Sequence, residues 1–233
     1  MRDNEVISYF EMCQREGSSL QRGMNFRLHG KHSVILMSLR PDAPYRDEVR
    51  EDGAVLIYEG HDAPKTIKTP EPKRIDQPEF LPSGNLTENG KFHNAAQGCR
   101  NGKKVPDVVC VYEKIKKGIW SYNGFFHLID SWIENDGKRK VFKFKLEAID
   151  EVDASNLPVR ADPSNKKHRR IIPTHIKLDV WKRDGGKCTI CGATDELHFD
   201  HILPYSKRGT SLKAENVQIL CARHNLTKSA KIQ

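Results

Sequence analysis

The chain has few features of a membrane or secreted protein. None of its apolar stretches reaches 18 residues, which excludes a membrane-spanning helix of ordinary length. Its first residues, MRDNEVISYFEMC, carry charges where a secretory signal would need an apolar core. Six cysteines in such a chain favour thiols or metal ligands over disulfides. We therefore expect a cytoplasmic protein with no membrane partner.

The net charge of +8 is unevenly distributed along the sequence. Residues 165–233 hold 14 Lys+Arg and 6 Asp+Glu, whereas the rest of the chain holds 25 of each. A polyanionic partner for the last third is the simplest interpretation. A solvated basic surface would give the same count.

Residues 1–150 alternate short apolar runs with turn-forming segments, which predicts a mostly β domain. An amphipathic helix is predicted over residues 5–15. The strict alternation in KVFKFKLEA predicts a closing strand that points its apolar side chains one way and its charged ones, such as Lys143, the other.

Residues 151–172 contain two prolines and the basic run KKHRR, and we interpret them as an interdomain linker. A second domain then follows over residues 173–233. It opens with a helical pattern for which Thr174 is a possible N-cap. The predicted fold class is therefore α+β with two domains.

Two pairs of potential metal ligands occur in this second domain: Cys188 with Cys191, and Cys221 with His224. Each pair has the three-residue spacing that lets one turn hold one side of a tetrahedral zinc ion. With all four positions filled by protein, the predicted zinc is structural. Buried free thiols are the alternative for the first pair.

Several ordered motifs around these pairs resemble the HNH, or ββα-metal, nuclease family in its zinc-stapled branch. They are VWKRDGGKCTICG, DHILPYSKRGTS, AENVQILC and RHNLTK, and the resemblance covers roughly residues 173–233. The resemblance implies a metal-dependent endonuclease that hydrolyses phosphodiester bonds with one catalytic ion.

Residue by residue, the resemblance makes His201 the general base that takes a proton from the attacking water. It makes Asp200 and Asn225 ligands of a catalytic Mg²⁺ or Mn²⁺. It makes Asn216 a brace for the loop that carries the base. Cationic side chains near this site are read as DNA phosphate contacts, with ordinary surface charge as the alternative; they are Arg183, Lys207, Arg208 and Lys228.

The first domain also carries a resemblance. APYRDEVREDGAVLIYEGHDAP, and later the stretch from NLTENGKFHNAAQGC to VFKFKLEAI, resemble the SRA domain, which binds modified cytosine in DNA. This implies an SRA/PUA-like β-barrel with flanking helices that flips the modified base out of the duplex.

Four residues match the base pocket of that family. Tyr45 and Tyr58 match the two stacking tyrosines, and either Asp47 or Glu48 matches the acid that faces the cytosine amino group. The choice between the two acids stays open because one extra residue separates Tyr45 from Gly53. Strand packing is the alternative for Tyr58.

Together these features predict a modification-dependent, type IV-like restriction endonuclease. It would recognise 5-methyl- or 5-hydroxymethylcytosine in double-stranded DNA and cut nearby, as a homodimer where both strands are cut. Two alternatives stay open: a homing- or phage-type HNH nuclease whose first domain reads sequence or structure, and a non-cleaving protein that binds modified DNA.

Overall fold

The computed structural model describes residues 4–67, 69–149, 171–203 and 209–228. Within these segments the chain is a mixed α+β protein, which confirms the predicted fold class. Its strands are β1 (Glu5–Ile7), β2 (Met24–Asn25), β3 (Ser33–Met37), β4 (Glu48–Arg50), β5 (Val55–Glu59), β6 (Asp107–Lys116), β7 (Ile119–Asn135), β8 (Lys140–Ala148), β9 (Leu197–His201) and β10 (Val217–Cys221). Its α-helices are α1 (Tyr9–Glu16), α2 (Glu88–Arg100), α3 (Thr174–Arg183) and α4 (Ala222–Lys228).

The long strand β7 organises the sheet. Its first part pairs with β1 on one side and β6 on the other, and its last part pairs with β8, all antiparallel. Gly124 in its middle has a φ of +84°, next to a register shift against β6. A residue without a side chain tolerates this φ, so β7 can bend there and serve two sets of partners.

The strand order runs β10-β9-β1-β7-β6-β3-β2, with β8, β5 and β4 branching from β7. A main apolar cluster lies between this sheet and α2 and includes Phe92, Phe126 and Phe144, all fully buried. Thr87 caps α2 by accepting a hydrogen bond from the Gly90 N–H. This cluster anchors the N-terminal region.

The N-terminal helix is shorter than the predicted span of 5–15. Ser8 forms a capping box with Glu11, so α1 begins at Tyr9. The three residues before Ser8 form β1 instead, because strands lie on both sides of them. The sequence pattern could not show that these residues have two strand partners.

Strand β8 alternates as predicted for its apolar residues, but one of its lysines is buried. Lys143 donates to Glu59 at 3.1 Å and to the Arg46 carbonyl at 2.9 Å. The charged face of the strand is therefore not all exposed: Lys143 is buried there because the Glu59 carboxylate compensates its charge.

The N-terminal and C-terminal regions share the sheet. β1 lies between β7 and β9, with Glu5 opposite Tyr122 on one side and His198 on the other. Ile171 packs into the main cluster, whereas its neighbour Ile172 packs into the C-terminal one. The two regions are therefore in direct contact through both backbone and core.

A buried polar network strengthens this junction. Lys177 of α3 donates to Glu113 of β6 and to Asn123 of β7, both at 2.7 Å. Thr174 donates its hydroxyl to Glu113 as well, instead of capping α3. Pro173 occupies the N-cap position without a side-chain hydrogen bond.

Most of the predicted linker, residues 151–170, lies outside the described residues. The domain boundaries at 150 and 172 thus stay predictions. Every helix in the described segments is too short or too polar to span a bilayer.

Candidate functional site

Asp200 and His201 end strand β9, as the sequence pattern predicts. The strand pairs with β10, and the apolar residues Leu197 and Phe199 point into the C-terminal core. His201 is therefore directed toward the same side of the strand as Phe199, and Asp200 toward the other. The alternation of the strand therefore places these two side chains on opposite faces of β9.

The His201 imidazole is held by a serine that sequence reasoning missed. Its Nε2 lies 2.9 Å from the hydroxyl of Ser211, which is 3% exposed. Burial lowers the pKa of His201, Asp200 opposes that shift and Lys228 adds to it. A neutral imidazole can accept a proton, which is what a general base requires.

Asp200 is paired with a lysine from α4. The Lys228 ammonium contacts the Asp200 carboxylate and also the His201 carbonyl. The Lys228 side chain is 1% exposed, whereas that of Asp200 is 21% exposed. Lys228 therefore contacts Asp200 and His201 from inside the protein.

Asn216 braces the loop that follows His201. Its Oδ1 accepts the Leu203 N–H at 2.8 Å, and its Nδ2 donates to the carbonyls of Leu203 and Thr210 at 3.1 and 2.9 Å. Its own carbonyl accepts the Ile202 N–H at 2.8 Å. These bonds join the residues after β9 to the residues before β10 on either side of positions 204–208.

The four predicted zinc ligands come together. The sulfur and Nδ1 atoms of Cys188, Cys191, Cys221 and His224 all lie within 4.8 Å of one another. Cys191 and Cys221 are 3.8 Å apart at sulfur, and His224 Nδ1 lies 3.4 and 3.3 Å from the sulfurs of Cys188 and Cys221. Zinc–sulfur bonds of about 2.3 Å in a tetrahedron require separations of this size.

The backbone around Cys188 suits a thiolate. Burial acts to raise its pKa, but N–H groups of Cys191, Cys221 and Ile190 outweigh that effect and lower the pKa to about 6. The thiolate is the form that binds metal. The donor set and its spacing therefore fit a bound metal ion.

The remaining residues assigned to the nuclease have different surroundings. Asn225 directly follows His224 in α4 and is half-buried. Arg183 donates to the carbonyls of Ala214 and Val217 at 2.8 and 2.6 Å. It therefore ties α3 to β10 while its side chain stays 43% exposed. Two further residues assigned to phosphate, Lys207 and Arg208, lie outside the described residues.

In the N-terminal region, three of the four residues assigned to the base pocket line one cavity of about 510 Å³: Tyr45, Asp47 and Tyr58. The fourth, Glu48, is exposed and paired with Arg50 at 2.6 Å. Of the two acids that the sequence left open, Asp47 is thus the one that reaches the cavity.

The Asp47 carboxylate has a defined position. It accepts the N–H groups of Ser38 at 3.1 Å and of Glu59 at 3.0 Å. Burial raises its pKa to about 7, against the lowering effect of those two bonds. Its carboxyl group is thus fixed at the cavity wall and easily protonated.

Ion pairs hold the end of β5 and the residues that follow it. Glu59 is paired with Lys143 and lies 3.9 Å from Arg139, and Arg139 also contacts Asp62. Lys73 pairs with Asp62 at 2.9 Å. This network positions Tyr58 and the residues after it against the cavity.

Several other cavity residues were missed by sequence reasoning. They include the basic side chains Arg22, Arg40 and Lys114, together with Trp120 and His61. They come from four separate segments of the chain, so no local motif could have grouped them.

Comparisons with known proteins give one family match and a set of similar solved structures. The HNH endonuclease family model matches residues 188–231. No curated protein matches the chain. Among solved structures, the SRA domain of SUVH5 in complex with hemimethylated CG DNA is 24% identical, with 63% of this chain and 87% of that chain covered and a TM-score of 0.44.

Two other solved structures are similar at comparable levels. The modification-dependent restriction endonuclease TagI is 17% identical, with 97% of this chain and 76% of that chain covered and a TM-score of 0.42. SUVH5 SRA bound to fully hydroxymethylated CG DNA is 23% identical, with 61% and 85% covered and a TM-score of 0.40.

The family match covers the Asp200–His201 pair, Asn216, Asn225 and all four cluster ligands, and it begins at Cys188. Residues 188–231 are thus similar to an HNH endonuclease domain.

Proposed function

We propose that this protein is a modification-dependent DNA endonuclease. Its N-terminal region binds a modified cytosine that has been flipped out of the duplex, and its HNH domain hydrolyses a phosphodiester bond nearby. The observation that carries this proposal is the meeting of Tyr45, Asp47 and Tyr58 in one cavity, on the same chain as an HNH domain. As from the sequence, we expect this activity in the cytoplasm.

The cavity has the chemistry that a flipped base needs. Aromatic rings offer faces for stacking, and Asp47 offers an acceptor for the exocyclic amine of cytosine. The volume of about 510 Å³ exceeds that of a pyrimidine, which leaves room for a substituent at C5. Arg22, Arg40 and Lys114 supply positive charge at the cavity for the phosphates beside the flipped nucleotide.

In the nuclease domain, His201 takes the proton of the water that attacks phosphorus while the bond to the 3′-oxygen breaks. In the tautomer in which Nε2–H donates to Ser211, Nδ1 carries the lone pair that accepts this proton. Asn216 holds the adjoining loop in place through its hydrogen bonds to Leu203 and Thr210.

Asp200 and Asn225 supply the oxygen donors that Mg²⁺ or Mn²⁺ prefers, and we assign the catalytic ion to them. When bound, such an ion stabilises negative charge on the phosphate and on the leaving oxygen. Lys228 neutralises Asp200 in this structure. For the ion to bind, the Lys228 ammonium would therefore have to move away from at least one oxygen of that carboxylate.

The second metal is zinc in the Cys188, Cys191, Cys221 and His224 cluster. When bound, it would join the turn after α3 to the start of α4, so that its ligands hold together the segments that carry Asp200 and Asn225. Its role is structural, because four protein ligands fill a tetrahedron.

The shared sheet fixes the position of the nuclease domain relative to the N-terminal region that binds the base. β1 pairs with β7 of the N-terminal region and with β9, which carries Asp200 and His201. The distance from modified base to cut is then set by this junction. Each HNH domain has one site for one strand, so a double-strand break needs a homodimer or two binding events.

A cleavage assay on matched plasmids tests the proposal. The plasmids carry cytosine, 5-methylcytosine, 5-hydroxymethylcytosine or glucosylated hydroxymethylcytosine, and each is incubated with Mg²⁺ or Mn²⁺. We expect cutting of a modified plasmid only, lost in His201→Ala and in Tyr45→Ala, with His175→Ala as the control for an exposed histidine outside the site.

The pattern of results separates the alternatives. Equal cutting of all plasmids would leave an HNH nuclease whose first region reads sequence or structure. Binding of a modified plasmid without cutting in either metal would leave a modified-DNA-binding protein.

A further inference from the structure

Three aromatic side chains meet at the wall of the base cavity: Tyr45, Tyr58 and His61. The rings of Tyr45 and His61 are stacked, with centroids 5.5 Å apart and planes 18° from parallel. The Tyr58 ring lies 6.4 Å from the imidazole, and its hydroxyl is 3.1 Å from Nε2 of His61. His61 therefore touches both of the tyrosines that are assigned to base stacking.

The position of this imidazole is built into the fold. The buried amide of Asn89 bonds both the N–H and the carbonyl of His61, each at 2.8 Å. Gly23 makes room for the ring, because a Cβ there would lie 2.7 Å from Nε2. The backbone of His61 is thus clamped on both sides, and a change in its ring position has to come from rotation of the side chain.

The ring that rests on Tyr45 has the chemistry of a small base. It is planar, aromatic and nitrogen-containing, and it hydrogen-bonds at its edge. Burial lowers the pKa of His61 to about 4, against the raising effect of Asp62. At neutral pH the ring is therefore uncharged, as a cytosine ring is.

Tyr45 also has a cation beside it. The Lys73 ammonium lies 4.0 Å from the centre of its ring and 2.9 Å from Asp62. Lys73 and His61 thus both lie against the ring of this tyrosine. A base that stacks on Tyr45 has to replace one of these contacts, and the near-parallel imidazole is the one with the shape of a base.

We propose that the His61 imidazole competes with the flipped base for Tyr45, and so sets how tightly modified DNA is bound. This inference rests on the proposed function. The ring fills the stacking position until the base enters, and its rotation away from Tyr45 opposes binding. The measured association constant is then that of an always-open pocket multiplied by the fraction of molecules in which His61 has moved away from Tyr45.

The test measures binding of short duplexes that carry one 5-methylcytosine, one 5-hydroxymethylcytosine or only cytosine, by fluorescence anisotropy in the absence of divalent cations. His61→Ala removes the ring, and we expect it to bind a modified duplex about tenfold more tightly than the unchanged protein, which corresponds to an open fraction of roughly one in ten. His61→Phe is the matched control, since it keeps a ring at the same position. We expect its affinity to stay at or below that of the unchanged protein.

A second variant without the ring shows whether a change in affinity comes from loss of the ring or from a folding defect. His61→Gln keeps a polar end for the Tyr58 hydroxyl, and its thermal unfolding is compared with that of His61→Ala. We expect the same gain in affinity from both variants. Equal or weaker binding by a folded ring-free variant would overturn the inference and leave the proposed function intact. Failure of the unchanged protein to prefer any modified duplex would remove the proposed function, and the inference with it.

Discussion

The ammonium of Lys177 lies 2.7 Å from the carboxylate of Glu113, and neither side chain has any exposed surface. The lysine belongs to α3, at the start of the C-terminal region, and the glutamate belongs to β6 of the N-terminal region. A buried ion pair between the two regions joins them far more specifically than surface charges could.

Breaking this pair is expected to destabilise the junction strongly. Lys177→Met leaves the Glu113 charge buried without its partner, at a cost of about 3–5 kcal/mol in the free energy of unfolding. The double variant with Glu113→Gln removes both charges and should recover much of that loss. Urea denaturation measures both.

Arg50→Ala is the matched control, because it breaks an exposed ion pair with Glu48. It should change stability by less than about 1 kcal/mol. If Lys177→Met were as mild as this control, the buried pair would not hold the junction. At temperatures where the variants stay folded, we also expect their cut positions to spread more widely around the modified base.

Removal of one cluster cysteine should abolish zinc binding. Purified protein is expected to contain about one zinc ion per chain, and Cys191→Ser to contain little and to unfold at lower temperature, because the metal binds only the folded cluster. Metal content is measured by mass spectrometry, and unfolding by circular dichroism. Cys99→Ser, at a half-buried cysteine outside the cluster, should keep its zinc. Loss of zinc in both variants, or in neither, would contradict the assignment.

Loss of the Ser211 hydroxyl should slow cleavage without weakening DNA binding. Ser211→Ala removes the group that positions the His201 ring, and we expect single-turnover cleavage to fall on the order of 10–100-fold. Ser211→Thr keeps a hydroxyl and should retain most of the rate. Thr210→Ala, which changes the neighbouring hydroxyl, serves as the control. A normal rate in Ser211→Ala would mean that the histidine needs no such support.

The buried Asp47 should make stability depend on pH. Its pKa is raised to about 7, so between roughly pH 4 and 7 the folded protein holds a proton that the unfolded chain has released. This contribution is present at low pH and is lost as pH rises through 7. The free energy of unfolding of Asp47→Asn, relative to that of the unchanged protein, should therefore rise by roughly 2 kcal/mol between pH 5 and 8.

The comparison uses denaturation midpoints at pH 5, 6, 7 and 8. Asp47→Asn lacks one carboxylate oxygen and therefore loses a backbone hydrogen bond at every pH. The informative quantity is how the stability difference between the variant and the unchanged protein varies with pH. Glu48→Gln, at the exposed neighbouring acid, should show a flat difference. A flat difference for Asp47→Asn as well would mean that this carboxyl titrates near its ordinary value.

The sequence by itself determined much of the C-terminal region. Cys188 and Cys191 are close along the chain, as are Cys221 and His224, so local spacing reveals each pair. The Asp200–His201 pair lies at the end of a short alternating strand. The family match over residues 188–231 covers these same motifs. Chemistry that depends on neighbours within one turn or one strand is visible in a linear pattern.

The tertiary structure decided what depends on distant segments. Asp47 rather than Glu48 faces the cavity because the backbone N–H groups of Ser38 and Glu59 hold its carboxylate there. His61 and Ser211 gained their proposed roles from Tyr45 and His201, which lie well outside one turn or one strand from them in the sequence. The junction of the two regions likewise depends on residues 64 positions apart. Such relationships arise from packing, which brings together side chains that the sequence keeps far apart.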